Sequence, residues 1–425
     1  MSGQNVTANW LPRPLNHRLP IFFDCASMKK PDPTDVAGVP EVRVLQMLQA
    51  APELLEMVTT STDKETTLQE RLRADYIPEL VRAALRLRDV RRRADGILPD
   101  GDRLWLTGRS FEQATALEVA CHKASRFPAG ESIEDLCCGI GMDTRALLAR
   151  GPVQAVDSDP AMLLRNEWNQ QIWYPDGLPH PLMTERADVS KRDSTGTLLH
   201  VDPDRRAGRD RPTKRLEMYQ PDLTWMEQTI ESAPGGAIKI GPASNFVQKF
   251  AGCEIELVSL HGECREATVW FGSLAGEKRF RATSLPTGES ICGNPLEAWC
   301  PESDVGQFLF DPDPAVVRSG LLDAVGQMHN LHRLDSADEY LTGDAIPSTA
   351  FVTAFRVEAV MGNNPKELKR YLRQKPGSHY EIKCRHLKVD ANQLQKKLPR
   401  GAGSPRVVFF VRVSGKAKVV VCERM

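Results

Sequence analysis

Residues 134–143 read Glu-Asp-Leu-Cys-Cys-Gly-Ile-Gly-Met-Asp, and this stretch predicts a β-strand that runs into a tight glycine turn and then opens a helix. Glycines in such a turn let the backbone come close to a ligand, and the start of a helix offers free N–H groups. The dinucleotide fingerprint GxGxxG is not met, because Thr144 stands at the third glycine position. Taken alone, the turn is more typical of an ordinary βαβ unit than of a ligand site.

The strand that follows sharpens this prediction. It spans residues 153–156 and is followed by Asp157, which lies about 20 residues beyond the turn. An acidic residue at this place can accept hydrogen bonds from both ribose hydroxyls of an adenosine. The alternative is a carboxylate that only caps the next helix. The turn and Asp157 together favour a nucleoside cofactor.

Short apolar runs alternate with helical stretches on both sides of this motif, between residues 110 and 275. This alternation predicts an α/β fold with a parallel, doubly wound sheet. The runs at 255–260 and 267–271 are too close for a helix between them. They predict a hairpin, and therefore one antiparallel strand at the edge of the sheet.

Five segments are expected from the pattern along the chain. Residues 1–40 carry six prolines and predict a tail, and residues 41–127 predict a helical region. The α/β domain is expected over 128–300, a linker with a helix over 301–350, and a separate α+β module over 351–425.

The charge of this last module differs from that of the rest of the chain. The 425 residues hold 55 Lys and Arg against 56 Asp and Glu, a net charge of −1. Residues 351–425 alone hold 17 basic and 5 acidic residues, a net charge of +12, which leaves −13 for the first 350. A concentrated positive charge of this kind favours a nucleic-acid partner for the C-terminal module.

The composition also bears on compartment and on other partners. The ten cysteines form no CxxC pair, which argues against a zinc site and predicts reduced thiols. The N-terminus has no apolar core of signal-peptide length, and no run reaches the roughly 18 apolar residues of a membrane span. We therefore expect a cytoplasmic protein without a metal and without a membrane partner.

A family resemblance becomes specific when these motifs are combined. Asp-Leu-Cys-Cys-Gly-Ile-Gly-Met-Asp at 135–143, followed by Ala-Val-Asp-Ser-Asp-Pro at 155–160, resembles the cofactor-binding pair of class I S-adenosylmethionine-dependent methyltransferases. Further short matches lie at 111–115, 201–206, 259–263 and 340–344. Residues from about 100 to 425 thus resemble the bacterial class I methyltransferases with a THUMP-like domain, whose basic C-terminal module is similar to the RNA-binding THUMP domain.

The resemblance implies a Rossmann-like sheet, S-adenosylmethionine as cofactor and a structured RNA, tRNA or rRNA, as substrate. It also implies a role for individual residues. Asp135, Cys138, Gly139 and Gly141 match the turn around the methionine part of the cofactor, Asp157 the ribose-binding acid, Asp188 the acid that meets the adenine, Gln113 and Thr115 a lid over the cofactor, and Asp202 and Pro203 the catalytic, substrate-facing motif.

The substrate-facing motif departs from one common pattern. Enzymes of this superfamily that methylate amino groups often show Asn/Asp-Pro-Pro-aromatic, whereas this chain has Asp204 and Arg205 in the last two places. The identity of the methylated atom is therefore left open. Methylation of a pyrimidine carbon would need a thiolate, but Cys137 and Cys138 are more typical of packing residues in the turn than of nucleophiles.

Two basic regions are expected to bind the RNA. The loop 205–215 carries six basic residues and one acid beside the substrate end, and the C-terminal module adds a basic helix face and a strand. Few aromatic residues accompany them, which favours recognition of folded RNA through shape and phosphates. The expected contacts are Arg205, Arg206, Arg209, Arg211, Lys366, Lys369, Arg370, Arg373, Lys383 and Arg385.

Two other functions remain open from the sequence. The first is a non-catalytic RNA-binding protein that keeps the fold, which the unusual residues at 204 and 205 would suit. The second is a methyltransferase for a small molecule or a protein, in which the basic module serves another purpose.

Overall fold

The structure is a computed structural model that describes residues 40–192 and 196–425. The chain divides into two compact units between Arg88 and Asp89. The tail predicted for residues 1–40 lies, apart from Pro40, outside the described residues.

The first unit is helical in its described part. One side of each helix is buried, because apolar residues recur three or four positions apart; they include Leu45, Leu48, Leu54, Val58, Leu68 and Leu72. The predicted N-terminal helical region is thereby confirmed. The helices are α1 (Glu41–Gln49), α2 (Pro52–Thr60), α3 (Glu65–Leu72) and α4 (Pro78–Ala94), the last of which continues into the second unit.

The second unit begins with two short helices and then forms a large sheet. The helices are α5 (Gly108–Gln113) and α6 (Leu117–Ser125). The sheet has nine strands in the order β3-β2-β1-β4-β5-β7-β6-β8-β9. Its elements are β1 (Ile133–Leu136), α7 (Met142–Leu148), β2 (Val153–Asp157), α8 (Pro160–Trp173), β3 (Leu182–Arg186), β4 (Leu198–Val201), α9 (Leu223–Ser232), β5 (Gly235–Ile240), β6 (Glu254–Leu260), β7 (Glu263–Gly272), β8 (Phe280–Leu285) and β9 (Glu289–Gly293).

Strands β1 to β5 are parallel, and β1 lies between β2 and β4. The order of the strands therefore reverses at β1, and open α/β sheets bind their ligands beyond the carboxyl ends of the strands at such a point. The predicted hairpin is present, since β6 and β7 are antiparallel, but β7 inserts between β5 and β6 and therefore lies inside the sheet and not at its edge. Strands β8 and β9 extend the sheet, and β9 is antiparallel to its neighbour. The predicted fold class is confirmed.

The C-terminal part of the second unit contains a seven-stranded sheet in the order β11-β12-β10-β13-β16-β15-β14. Residues 301–350, for which the sequence predicts a linker with a helix, contain two helices and contribute three strands to this sheet. The elements are β10 (Phe308–Pro312), α10 (Pro314–Ser319), α11 (Leu322–Met328), β11 (His332–Arg333), β12 (Leu341–Gly343), β13 (Val352–Gly362), α12 (Pro365–Gln374), β14 (Tyr380–Cys384), α13 (Ala391–Lys397), β15 (Arg406–Val413) and β16 (Lys416–Arg424).

The two sheets share one continuous apolar core. Leu136, Ile238 and Val269 of the nine-stranded sheet belong to the same buried cluster as Phe310 and Phe351. Tight packing of this kind gives the ends of β1, β4 and β5 fixed positions. The side chains that follow these strands therefore lie on a rigid scaffold.

Candidate functional site

A cavity of about 470 Å³ lies at the carboxyl ends of the parallel strands, where the strand order reverses. Its walls come from α5 and the segment after it, from the glycine turn after β1, and from the residues that follow β2, β3 and β4. The predicted site residues that line it are Gln113, Thr115, Cys138, Gly139, Gly141, Asp157, Asp188, Asp202, Pro203 and Arg205. The chain thus brings together residues from 113 to 205 at one place.

The glycine turn has a backbone that side chains would not tolerate. Gly139 and Gly141 have φ angles of 54° and 88°. A Cβ at Gly141 would lie 2.3 Å from Oδ1 of Asn166, a buried residue of α8, whereas a Cβ at Gly139 would meet nothing within 4 Å. Gly141 therefore lets α8 approach the turn, and Gly139 leaves backbone open to the cavity.

Asp157 ends β2 and faces the same turn. Its carboxylate accepts hydrogen bonds from the backbone N–H groups of Gly139, at 3.1 Å, and of Asp159, at 2.9 Å. Burial raises the pKa of Asp157, although these two hydrogen bonds oppose the change. A carboxylate offers about four acceptor positions, so two of them remain for a ligand.

Asp135 does not line the cavity. Its side chain is buried, and the residue is only 1% exposed. The carboxylate accepts a hydrogen bond from the hydroxyl of Thr144 and contacts Nδ1 of His200 at 2.8 Å. The structure thus gives Asp135 a role in supporting the turn.

Asp188 lines the cavity and comes shortly after β3. Its carboxylate accepts hydrogen bonds from the hydroxyl and the backbone N–H of Ser190 and pairs with Lys191 at 3.1 Å. The hydrogen bond from the Ser190 hydroxyl is the main reason why the pKa of Asp188 is lowered. The carboxylate is exposed and free to accept a further hydrogen bond.

The substrate end contains a lysine that the sequence reasoning missed. Nζ of Lys239, in β5, lies 2.7 Å from Oδ2 of Asp202 and 2.7 Å from Oγ1 of Thr115. A second buried lysine, Lys123, pairs with Asp143 at 2.9 Å and with Glu266 at 2.8 Å. The signal for Lys239 was a single charged residue inside the apolar strand 237–240.

This second lysine also affects Asp143, which lines the cavity at the start of α7. Burial alone would raise the pKa of Asp143, but the Lys123 ammonium, acting together with His200, Lys239 and the hydrogen bond from Thr115, holds that pKa below its usual value. Thr115 donates a further hydrogen bond to Asp143 at 2.6 Å. Asp143 is therefore a charged, fixed part of the wall.

Asp204, one of the two departures from the amino-methylating pattern, binds helix α5. Its carboxylate pairs with Arg109 at 2.8 Å and accepts a hydrogen bond from Nε2 of Gln113 at 3.2 Å. A further ion pair, between Arg206 and Glu112 at 3.0 Å, joins the same two segments. The predicted lid residue Gln113 is thus connected to the substrate-facing loop.

The two cysteines of the turn are poor candidates for nucleophiles. Burial, reinforced by neighbouring carboxylates that include Asp157 and Asp135, raises the pKa of Cys137 and of Cys138 well above the usual value. A nucleophilic cysteine needs the thiolate form, which these surroundings disfavour. This environment supports the interpretation of both residues as packing groups.

The predicted RNA-binding residues differ in their surroundings. Arg205 lines the cavity, and Arg209 and Arg211 are exposed on the loop. On α12, the described residues provide no ion-pair partner for the side chains of Lys366, Lys369, Arg370 and Arg373.

Lys383 and Arg385 are engaged within the protein. Both pair at 2.8 Å with Asp311, and Arg385 also pairs with Glu339 at 2.9 Å. Each side chain is about one quarter exposed. Because these two cations already pair with acids of the protein, they would contribute little to the binding of RNA phosphates.

No helix of the described residues is long and apolar enough to cross a membrane. Over the same described ranges, 40–192 and 196–425, no group of His, Cys, Asp and Glu side chains is arranged to hold a metal ion.

Comparison with known proteins agrees with this geometry. Residues 352–424 match a family model described as THUMP domain-like. An uncharacterised S-adenosylmethionine-dependent methyltransferase of Mycobacterium tuberculosis, known from two strains, is 33% identical over 352 residues, which cover 80% of this chain and 94% of that protein. A Porphyromonas gingivalis protein of known crystal structure, assigned as a methyltransferase, superposes with a TM-score of 0.70 at 17% identity over 91% of this chain and 99% of that one. This last likeness concerns the fold.

Proposed function

The chain belongs to the family of S-adenosylmethionine-dependent methyltransferases, and on that premise we propose that it methylates structured RNA, either tRNA or rRNA. The observation that carries this proposal is the set of cations on α12, inside the THUMP domain-like segment, for which residues 40–192 and 196–425 provide no ion-pair partner.

The cavity fits the family's cofactor. Its volume of about 470 Å³ lies in the range of small-molecule sites, which is roughly 300–1,000 Å³. The backbone at Gly139 is open, and the carboxylate of Asp157 has acceptor positions left for a ribose diol. When bound, S-adenosylmethionine supplies a methyl group that its sulfonium has already activated.

Residues in each wall of the cavity would then bind a different part of the cofactor. Asp157 would accept hydrogen bonds from the ribose hydroxyls, and the turn at Gly139 and Gly141 would hold the methionine part. Asp188 would accept a hydrogen bond from the adenine amino group. Because the methyl group is already activated, the protein would contribute mainly by positioning the nucleophile and by accepting its proton, a role that we assign to Asp202.

Two basic surfaces support RNA as the substrate. The loop 205–215 lies beside the substrate end of the cavity, with Arg209 and Arg211 exposed. The second surface is α12, which we call the α12 face and define by Lys366, Lys369, Arg370 and Arg373. Positive surfaces of this kind bind phosphates without regard to sequence, and the THUMP domain-like match supports an RNA partner. Lys383 and Arg385, on β14 and directly after it, are not counted among these surfaces because Asp311, Glu381 and Glu339 already pair with them.

The test is methyl incorporation. Purified protein would be incubated with methyl-labelled S-adenosylmethionine and total RNA from cells that lack it, and the labelled RNA would be identified by size and nucleoside mass. We expect label in tRNA or rRNA, and less label with the Asp157→Ala variant when the cofactor concentration is below saturation.

Two other results would overturn the proposal. Cofactor binding without label in any RNA would favour a non-catalytic RNA-binding protein. Label that appears in small molecules or proteins of the lysate, but not in RNA, would favour the other class of methyltransferase.

A further inference from the structure

Lys239 is the one lysine that lines the cavity among the described residues, and its ammonium is almost completely enclosed, with 8% of the side chain exposed. Two of its three protons point to close acceptors, Oδ2 of Asp202 and Oγ1 of Thr115, both at 2.7 Å. For the third, the nearest acceptor among the described residues is the backbone oxygen of Gln113 at 3.5 Å, which is a weak contact, and Oε2 of Glu266 is 4.0 Å from the same nitrogen. An oxygen atom of a substrate could therefore replace Gln113 as the third acceptor.

Asp202 complements this donor. Lys239 engages its Oδ2, whereas Oδ1 has no hydrogen-bond partner among the described residues. The carboxylate side chain is 29% exposed and lines the cavity. One acceptor, Oδ1, and one donor, Nζ of Lys239, thus lie side by side at the substrate end.

A donor beside an acceptor suits a hydroxyl group, which can donate to one and accept from the other. We propose that the nucleophile is the 2′-hydroxyl of a ribose in the RNA, with Lys239 and Asp202 as the catalytic residues that bind it. This inference rests on the proposed function, methylation of RNA, and specifies the atom that receives the methyl group.

The charge of Lys239 argues against an exocyclic amine as the nucleophile. A neutral amine becomes a cation when it gains a methyl group, and an ammonium beside it opposes that charge. A hydroxyl oxygen instead gains negative charge as its proton leaves, and a preorganised ammonium stabilises that charge. The second buried lysine, Lys123, pairs with Asp143 and Glu266, so the acids behind the site are already partly neutralised by another cation.

The cavity walls give a second, independent argument. None of the described residues that line the cavity is aromatic. Arg205 and Asp204 occupy the places where amino-methylating enzymes often have an aromatic residue and the proline before it. A base that is turned out of its stack is normally held between aromatic or apolar side chains. A ribose needs no such platform.

The reaction moves one methyl group to the ribose and releases one proton from it. The ribose hydroxyl donates its proton to Oδ1 of Asp202 while its oxygen forms a bond to the methyl carbon. The carbon–sulfur bond of the sulfonium breaks with its electron pair left on sulfur, which gives a neutral thioether and a neutral 2′-O-methyl ether. Asp202 then releases the proton to water.

The position of the methyl group in the RNA product tests this proposal. RNA labelled by the wild-type protein would be digested to nucleosides and separated, and we expect label in 2′-O-methylribonucleosides. Alkaline hydrolysis is a second readout, because a methylated 2′-oxygen cannot attack the neighbouring phosphodiester and leaves a labelled, alkali-stable dinucleotide. Label on a base overturns this inference and leaves the proposed function standing. Absence of label from all RNA, with cofactor bound, overturns both.

A variant tests the role of Lys239. Lys239→Met is expected to lower kcat by about 10²-fold or more, with KM for RNA and cofactor affinity changed by less than about threefold. Lys278→Met removes a half-exposed lysine outside the cavity and should leave kcat, KM for RNA and cofactor affinity unchanged. Lys239→Gln serves if the methionine variant does not fold. A folded variant with wild-type kcat overturns the assignment.

Discussion

The carboxylate of Asp157 accepts a hydrogen bond from the backbone N–H of Gly139 at 3.1 Å, although the two residues are 18 positions apart and lie at the ends of different strands. This contact connects the glycine turn to the expected ribose site. A ligand held by Asp157 therefore lies directly against the open backbone of Gly139.

The first prediction concerns cofactor affinity. Asp157→Ala removes the acceptor for two ribose hydroxyls, and hydrogen bonds to a charged group contribute about 1.5–3 kcal/mol each. We expect the Kd for S-adenosylmethionine to rise by at least about tenfold, measured by calorimetry. Asp304→Ala, which removes a carboxylate that is 86% exposed, is the control and should bind normally. Equal affinity of the two variants for S-adenosylmethionine would show that Asp157 does not bind the cofactor.

The second prediction concerns the pH dependence of the same binding. Because burial raises the pKa of Asp157, its carboxylate gains a proton at a higher pH than an ordinary aspartate, whose pKa is about 3.9. The protonated group offers fewer acceptor positions, so cofactor affinity should be full at neutral pH and fall as the pH drops toward that raised pKa. Calorimetry between about pH 4 and 7 would show this fall. In Asp157→Asn the profile should be flatter, and an identical profile would assign the titration to another group.

The sequence predicted those parts of the site that depend on local pattern. The glycine turn and Asp157 belong to one βαβ unit, so their spacing along the chain is enough to bring them together. Lys239 and Asp204 were not predicted as connected residues, because their partners Thr115 and Arg109 lie 124 and 95 positions away. Only the strand order of the sheet brings such pairs together.

The fold, too, was predicted where it depends on local pattern and was not predicted where distant segments pair. Strand–helix alternation was sufficient to predict the parallel sheet and the hairpin. The pairing of β10 with β13 was not predicted, because a five-residue strand inside 301–350 is too short to show a clear period. Asp311 of this strand lies 2.8 Å from Lys383 and from Arg385, which is why two expected RNA contacts are internal ion pairs.

The third prediction concerns RNA binding by the α12 face. The double variant Lys369→Glu with Arg373→Glu should weaken binding to bulk tRNA and lower the slope of log K against log salt by about 2, because two phosphate contacts are lost. Cofactor affinity should not change. The matched control, Lys64→Glu with Arg73→Glu, makes the same charge change on exposed residues of the helical unit. If both double variants weaken binding equally, total charge and not the α12 face determines affinity.

The fourth prediction concerns the connection between α5 and the substrate-facing loop. Asp204 receives an ion pair from Arg109 and a hydrogen bond from Gln113, and both partners line the cavity on α5. The ion pair is half exposed, so it contributes at most about 1 kcal/mol, and the hydrogen bond adds a similar amount. Asp204→Ala should therefore release α5 at a cost of about 1–2 kcal/mol, seen as a roughly five- to thirtyfold faster dissociation of S-adenosylmethionine in stopped-flow measurements.

A comparison of variants distinguishes a movable lid from a local contact between Asp204 and the cofactor. Arg206 and Glu112 form a second ion pair between the same segments, so Glu112→Ala should accelerate dissociation as well, although that carboxylate does not line the cavity. If α5 moves as one lid, the double variant Asp204→Ala with Glu112→Ala should accelerate dissociation by more than either single variant. If only Asp204→Ala has an effect, then that carboxylate acts locally on the bound cofactor, and α5 is a fixed wall whose position does not depend on either contact.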